Sequence, residues 1–290
     1  MAILVDSATR LIVQGITGRA AQVQLGLMRA LGTIAVAGVT PGRGGSRVDD
    51  VPIFDTVAEA REATGGNASI LFLPPAAVKD GILEALDAEL PLVVCISEGA
   101  PVHDMLVVME RLRQAAGRSF LIGPNCPGLV SPGLAKVGTM PNSVCAPGPV
   151  GIVSRSGTLA YEVSYELLRR GLGQSTWVGV GGDPLKGSDF TAILPRFAAD
   201  PATRAVILIG EIGGADEERA AEIISAGYPK PVVALVAGRS APPGRPMGHA
   251  GALISGGRGG HRGKVEALRA AAARIAETPA EAPALVAQLL

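Results

Sequence analysis

His249 stands among the smallest residues of the chain, in Met247-Gly248-His249-Ala250-Gly251-Ala252, where glycine and alanine leave room for a bulky group to reach the imidazole. Histidine is partly unprotonated at neutral pH, so it can act as a covalent nucleophile, and a phosphoryl group suits the space. It can equally be a loop residue that bonds a backbone carbonyl, and spacing alone leaves both readings open. Glu211, in Glu211-Ile212-Gly213-Gly214, follows an apolar run, where a carboxylate is costly unless it has a partner. Such a carboxylate can orient the second nitrogen of an imidazole. Ser154-Arg155-Ser156-Gly157-Thr158 follows another apolar run and opens a helical stretch, so its hydroxyls and amides make a candidate phosphate cradle. Gly179 to Pro184 is a third glycine-rich turn of the same kind.

The first half of the chain carries a different chemistry. Gln14-Gly15-Ile16-Thr17-Gly18-Arg19-Ala20-Ala21 joins an apolar run to a helical pattern, a relative of the dinucleotide turn in which glycine closes tightly and helix amides meet phosphate. A tight turn without a ligand would look the same. An NAD site wants a carboxylate at the end of the second strand. Here the strand runs into Thr40-Pro41-Gly42-Arg43-Gly44-Gly45, which has none. Arg43 points instead to a phosphorylated ribose, as in NADP or in coenzyme A with its 3′-phosphate. An exposed loop arginine without a ligand is the alternative.

These residues need sheets to hold them. Nine short apolar runs, each followed by a helical stretch, give a βαβ rhythm: Arg10 to Gln14, Ile34 to Val39, Ala68 to Leu73, Leu92 to Ile96, Phe120 to Ile122, Val150 to Val153, Ser175 to Val180, Ala205 to Ile209 and Val232 to Val236. Nine strands over 290 residues suit two α/β domains. We place them at residues 1–125 and 149–290, joined by a proline- and glycine-rich connection at 126–148. The last stretch, Val265 to Leu290, has helical spacing and is expected to cover a sheet. Hydrophobic residues make up 48% of the chain but aromatics only 3%, so Ala, Val, Ile and Leu must build the cores, as in parallel sheets covered by helices.

Basic and acidic residues balance at 26 each, which argues against nucleic-acid or anionic-membrane partners. Cys95, Cys126 and Cys145 are too few and too scattered for a disulfide framework or a metal site, and no metal site is expected. Residues 1–10 include Asp6 and Arg10 and lack the apolar core of a signal peptide, and no run approaches a membrane span, so a cytoplasmic location is expected. Cys126 lies in the connection, either near the chemistry or as a packed small thiol.

Taken together, Gly15-Ile16-Thr17-Gly18, Gly38-Val39-Thr40-Pro41-Gly42, Gly123-Pro124-Asn125-Cys126-Pro127-Gly128, Val153 to Leu159, Gly181-Gly182-Asp183-Pro184, Ile209 to Gly214 and Met247 to Ala252 resemble, in the same order, the α subunits of succinyl-CoA synthetase (succinate–CoA ligase) and of malate–CoA ligase. The resemblance implies a CoA-binding Rossmann-like domain followed by a flavodoxin-like (CoA-ligase) domain. It implies an ATP-grasp β subunit that holds ATP or GTP with Mg2+, phosphate transfer to a histidine and on to a small dicarboxylate, and attack by CoA on the acyl phosphate. By position it assigns Thr17, Gly18, Arg19, Ala20, Arg43, Ile96, Ser97 and Glu98 to CoA, Tyr161 to the acid, Ser154 to Thr158 to phosphate, His249 to the phosphohistidine and Glu211 to its carboxylate partner.

The chain departs from the family pattern at three places. Arg43 replaces a usual lysine, Ala21 and Gln24 replace the later Gly and His of the first turn, and Ser143-Val144-Cys145 replaces His-Ile-His or His-Ile-Tyr. The last change bears on which acid is used. Two other classes compete, a non-catalytic CoA-binding paralogue and an NADP oxidoreductase.

Overall fold

The computed structural model describes residues 2–115, 117–242, 244–255 and 259–290. The chain divides into two units, one of Leu4–Thr139 with Leu185–Gly187, the other of Met140–Pro184 and Ser188–Leu290 with the start of the chain up to Ile3.

The first unit runs β1 (Arg10–Gln14), α1 (Arg19–Arg29), β2 (Ile34–Val39), β3 (Arg47–Val48), β4 (Val51–Phe54), α2 (Val57–Thr64), β5 (Ala68–Leu71), α3 (Val78–Asp87), β6 (Leu92–Cys95), α4 (Val102–Gln114) and β7 (Phe120–Ile122). Its sheet has the order β3-β4-β2-β1-β5-β6-β7, parallel except for the β3–β4 pair. Setting β3 aside, this is the doubly wound Rossmann order, and the chain reverses direction across the sheet between β1 and β5. Both faces of β5 and β6 are buried, which is why their residues are apolar apart from the buried Ser69. Ile12, Val39, Leu71, Ile82, Leu86, Val93 and Val108 form the core between sheet and helices. Helix α2 starts on a capping box, with Thr56 accepting from the Glu59 amide, and stops at Gly65 in the left-handed conformation.

The same unit continues into an antiparallel hairpin, β8 (Gly128–Ser131) and β9 (Ala135–Gly138). The proline- and glycine-rich connection expected here contains these two strands, which the nine apolar runs did not include. Every residue of the two strands is buried, so the polar alternation that marks an antiparallel strand is absent. The remaining signal was the Pro132-Gly133 turn, closed by the Leu134 amide on the Ser131 carbonyl.

The second unit runs β10 (Pro147–Ser154), α5 (Gly157–Arg169), β11 (Gln174–Gly179), α6 (Phe190–Ala199), β12 (Ala205–Glu211), α7 (Asp216–Ser225), β13 (Val232–Ala237), α8 (His261–Ala270), β14 (Arg274–Ala276) and α9 (Glu281–Ala287). Its parallel strands lie in the order β14-β13-β12-β10-β11, the flavodoxin arrangement, with the reversal between β10 and β12. All nine apolar runs read from the sequence are strands. The C-terminal stretch is helical at both ends, but three residues between α8 and α9 form β14. Among the described residues, no helix is long and apolar enough to cross a membrane.

In the first unit, β2 packs too closely on Ile16 to take an added carbon at Gly38. A Cβ at Gly38 would stand 2.4 Å from a methyl of fully buried Ile16. Gly38→Ala is expected to cost ~1–3 kcal/mol through overpacking. It should appear as a lower urea midpoint with an unchanged m-value.

Candidate active site

In the second unit the strand order reverses between β10 and β12, the point at which open α/β sheets bind ligands beyond the carboxyl ends of their strands. Arg155 leaves the end of β10, and Glu211 closes β12. His249 arrives from the loop between β13 and α8. Its Nδ1 lies 2.8 Å from Oε2 of Glu211. A carboxylate oxygen accepts, so Nδ1 carries the proton and donates, and Nε2 is left with the lone pair. The histidine side chain is 26% exposed while that of Glu211 is 7% exposed, so the pair is open on the imidazole side only.

Small residues bring the ring into place. A Cβ on Gly182 would sit 2.3 Å from Cγ of His249, so the imidazole lies directly against this glycine. The Gly251 amide donates to the Gly182 carbonyl at 3.0 Å, and the Ala252 amide donates to the His249 carbonyl at 3.0 Å, which closes the turn around the histidine. Gly213 has a positive φ of 88°, and a Cβ there would meet the Gly251 carbonyl at 2.0 Å. Only glycine allows both the turn after Glu211 and the approach of the histidine loop.

Arg155 is buried beneath this pair. Its Nη1 donates to the carbonyls of Glu211 at 3.2 Å and Gly213 at 2.9 Å and to Oε1 of Glu217 at 3.2 Å. Its Nη2 stands 3.2 Å from Oε1 of Glu211. Burial draws the guanidinium pKa down, but Glu217, Glu211 and Asp216 together hold it above its ordinary value. His249 is also raised above its ordinary value, first by the hydrogen bond to Glu211 and by the charges of Glu211 and Asp183, against burial and Arg155.

Of the five residues expected to cradle phosphate, Ser154 and Arg155 face inward and hold the loop. The Ser154 hydroxyl donates to the Ser156 carbonyl at 2.6 Å and accepts from the Ser156 amide at 3.0 Å. Ser156 caps α5 by accepting from the Leu159 amide at 3.3 Å. Gly157 is half-buried and Thr158 exposed at the first turn. Tyr161 packs edge-on to Trp177, with ring centroids 5.3 Å apart. Cys126 is buried in the first unit, where its thiol donates to the Cys95 carbonyl at 3.2 Å.

The residues expected to hold CoA belong to the first unit. Gly15 turns with a positive φ of 74°, and a Cβ there would meet the Phe72 carbonyl at 2.4 Å. Helix α1 opens at Gly18 without a side-chain cap, so its first amides are available to a phosphate. Thr17, Gly18, Arg19 and Ala20 are exposed, as are Arg43 and Glu98, while Ile96 and Ser97 are half-buried. The Arg43 loop is tied down by Asp55, whose Oδ1 accepts from the amides of Arg43 at 3.0 Å and Gly44 at 2.9 Å. Ser97 donates to the Leu73 carbonyl at 2.6 Å. An uncapped helix start, a fixed loop and an exposed guanidinium fit a phosphorylated nucleotide.

Sequence reasoning singled out the Gly179 to Pro184 turn that holds Gly182 but missed Glu217 and Lys264. Glu217 and Lys264 lie in charged helical stretches, yet both side chains are fully buried. Lys264 precedes Leu268 by one turn, and that spacing on an amphipathic helix was the available signal.

Comparison with known proteins agrees with both halves. A CoA binding domain model matches residues 6–99 and a CoA-ligase model matches residues 153–274. Over all 290 residues the chain is 50% identical to the alpha subunit of succinate–CoA ligase (ADP-forming) from Aquifex aeolicus, covering 95% of it. It is 52% identical to alpha subunit 2 of the same enzyme from Archaeoglobus fulgidus, with both chains fully covered. Among solved structures, ATP citrate lyase from Methanothrix soehngenii, in complex with citrate and coenzyme A, superposes with a TM-score of 0.89 at 25% identity. That match covers 99% of this chain and 50% of the lyase, so the chain spans about half of that protein. A Rossmann unit with an open nucleotide turn, followed by a flavodoxin-like unit with a histidine–carboxylate pair at its switch point, defines a CoA ligase subunit. The chain belongs to the family of succinate–CoA ligase α subunits.

Because His249 is raised, its contribution to stability is complete below the ordinary value of about 6.5 and is lost as pH rises through the raised value. The stability gap between the wild type and His249→Asn is therefore expected to be wider at pH 6 than at pH 8.5 in urea titrations. In NMR titrations the His249 ring should titrate above about 6.5, and Glu211→Gln should lower its midpoint.

Proposed function

We propose that the chain is the α subunit of a nucleoside-triphosphate-dependent dicarboxylate–CoA ligase of the succinate type, working through phosphate carried on Nε2 of His249. The observation that carries this reading is the 2.8 Å contact between His249 Nδ1 and buried Glu211. Glu211 fixes the proton on Nδ1, which turns the Nε2 lone pair outward as the nucleophile. When Nε2 takes a terminal phosphoryl, the bond to the leaving diphosphate breaks and the ring becomes cationic, and the Glu211 carboxylate offsets that charge. The dicarboxylate then attacks phosphorus, the N–P bond breaks, and His249 returns to neutral with its Nδ1 proton still in place. CoA, when bound, supplies the thiol that takes the acyl group and releases inorganic phosphate.

Thr17, Gly18, Arg19 and Ala20 at the start of α1, with Arg43, Ile96, Ser97 and Glu98, are the residues that hold CoA in this reading. Gly157 and Thr158 at the start of α5 offer donors to the phosphoryl group, and Tyr161 lines the acid site. The partner is an ATP-grasp β subunit that holds ATP or GTP with Mg2+. The thiols of Cys95, Cys126 and Cys145 suit a reducing cytoplasm. Ser143 and Cys145, which stand where the family pattern carries His or Tyr, favour testing malate beside succinate as the acid.

Co-expressed with its partner and given labelled nucleotide, the wild type is expected to acquire an acid-labile, alkali-stable phosphate that His249→Asn lacks. Succinate or malate with CoA should discharge it. Label retained in His249→Asn would end the phosphohistidine reading. On the other unit, Arg43→Ala is expected to raise KM for CoA roughly tenfold, from the loss of one charge-assisted contact, while leaving KM for 3′-dephospho-CoA unchanged.

A further inference from the structure

The buried ions beneath the histidine extend further than its own chemistry requires. Lys264, on the helix that follows the histidine loop, has a side chain 0% exposed, as has that of Glu217 in the first turn of α7. Lys264 Nζ donates to Oε2 of Glu217, to Oε2 of Glu218 at 2.9 Å and to the Gly214 carbonyl at 3.0 Å. The other oxygen of Glu217, Oε1, accepts from the Glu211 amide at 3.0 Å and from Nη1 of Arg155 at 3.2 Å. A Cβ at Gly210 would lie 2.5 Å from Cγ of Glu217, so nothing larger than glycine fits where this carboxylate passes behind β12. The charges therefore alternate along one path: Lys264, Glu217, Arg155, Glu211, His249.

Arg155 is shared by two carboxylates, and its balance between them depends on what else neutralises Glu217. With Lys264 in place, Glu217 has a second cation beside Arg155. Arg155 can then keep Nη2 3.2 Å from Oε1 of Glu211, while Oε2 of Glu211 is left for the imidazole. Without Lys264, a fully buried carboxylate has only Arg155 to offset it, and the cost of an uncompensated buried charge draws the guanidinium away from Glu211. We propose that Lys264 is a positioning residue for the phosphoryl step, neutralising Glu217 so that Arg155 remains on Glu211 and Glu211 holds His249 in place. This rests on the phosphohistidine reading for its consequence in the reaction, but its electrostatic part concerns the resting protein alone.

The test is a charge-balance cycle with Lys264→Met, Glu217→Gln and the double variant. Its first readout is the His249 titration midpoint by NMR on the full chain, where Arg155, Glu211 and Asp183 are the charged groups acting on the ring. Lys264→Met is expected to raise the midpoint, because Glu211 loses Arg155 to Glu217, and Glu217→Gln to lower it, because Arg155 moves fully to Glu211. The double variant should titrate as Glu217→Gln does, since Lys264 acts on Arg155 only through the charge of Glu217 and has nothing left to neutralise once that charge is gone. The second readout, in the complex with the partner, is single-turnover labelling of His249. Each single variant is expected to slow it roughly ten- to a hundredfold, the range for losing a supporting contact or misplacing a reacting group. The double variant should label at the rate of Glu217→Gln, with no further loss from the missing lysine. Single variants that titrate as the wild type, or a double variant that departs from Glu217→Gln in midpoint or labelling rate, would overturn the proposal. Should Lys264→Met not fold, Glu217→Gln and the double variant decide in the same way. A protein that takes no label but shows the opposed midpoints would sink the phosphohistidine reading and leave the charge relay standing.

Discussion

The second unit depends on one constraint, the burial of an arginine that cannot lose its charge. Arg155 is 3% exposed, and a guanidinium in that position must find anions and acceptors or destabilise the fold. It finds two carboxylates and the carbonyls of Glu211 and Gly213. Those acceptors come from the end of β12, the turn after it and the first turn of α7, so meeting them fixes the β12–α7 crossover against the end of β10. The acidic start of α7, Asp216-Glu217-Glu218, is favourable for the helix dipole as well, so the residues that balance the arginine also begin the helix. The histidine–carboxylate pair is then a by-product of structural necessity. Glu211 is held by Arg155 on one side, and its other oxygen is the buried acceptor that meets the imidazole brought in by the histidine loop.

Much of this was legible in the sequence because parallel strands buried on both faces have a simple signature. Arg10–Gln14, Ile34–Val39 and Phe120–Ile122 coincide with the observed strands to the residue, and the two parallel sheets follow from the βαβ rhythm. His249 and Glu211 stood out because of the glycines beside them. What stayed hidden has a common cause, in that sequence shows a residue's type but not the direction of its side chain. Ser154-Arg155-Ser156-Gly157-Thr158 has the composition of an anion cradle, yet Arg155 points into the protein, and only the first turn of α5 faces outward. Glu217 and Lys264 are charged residues on amphipathic helices, and their burial becomes apparent only once an inward-facing arginine is known to need an anion.

The positions that differ from the family pattern lie outside this buried relay. Ser143 is exposed, and Cys145 is half-buried with its thiol on the Pro141 carbonyl at 3.4 Å. The path of that segment is set elsewhere, by Gln174. Its Oε1 accepts from the Ala146 amide at 3.0 Å and its Nε2 donates to the Val144 carbonyl at 3.0 Å. Backbone held by a buried glutamine on a neighbouring strand does not rest on side chains 143 and 145, so their replacement alters local chemistry and not the fold. The relay from Lys264 to His249 is the reverse case, where the members are tied to one another and a single change is felt along the path. On the proposed function, phosphoryl carriage is therefore the rigid part of the enzyme, and the choice of acid falls to a segment whose shape does not depend on the residues that would make it.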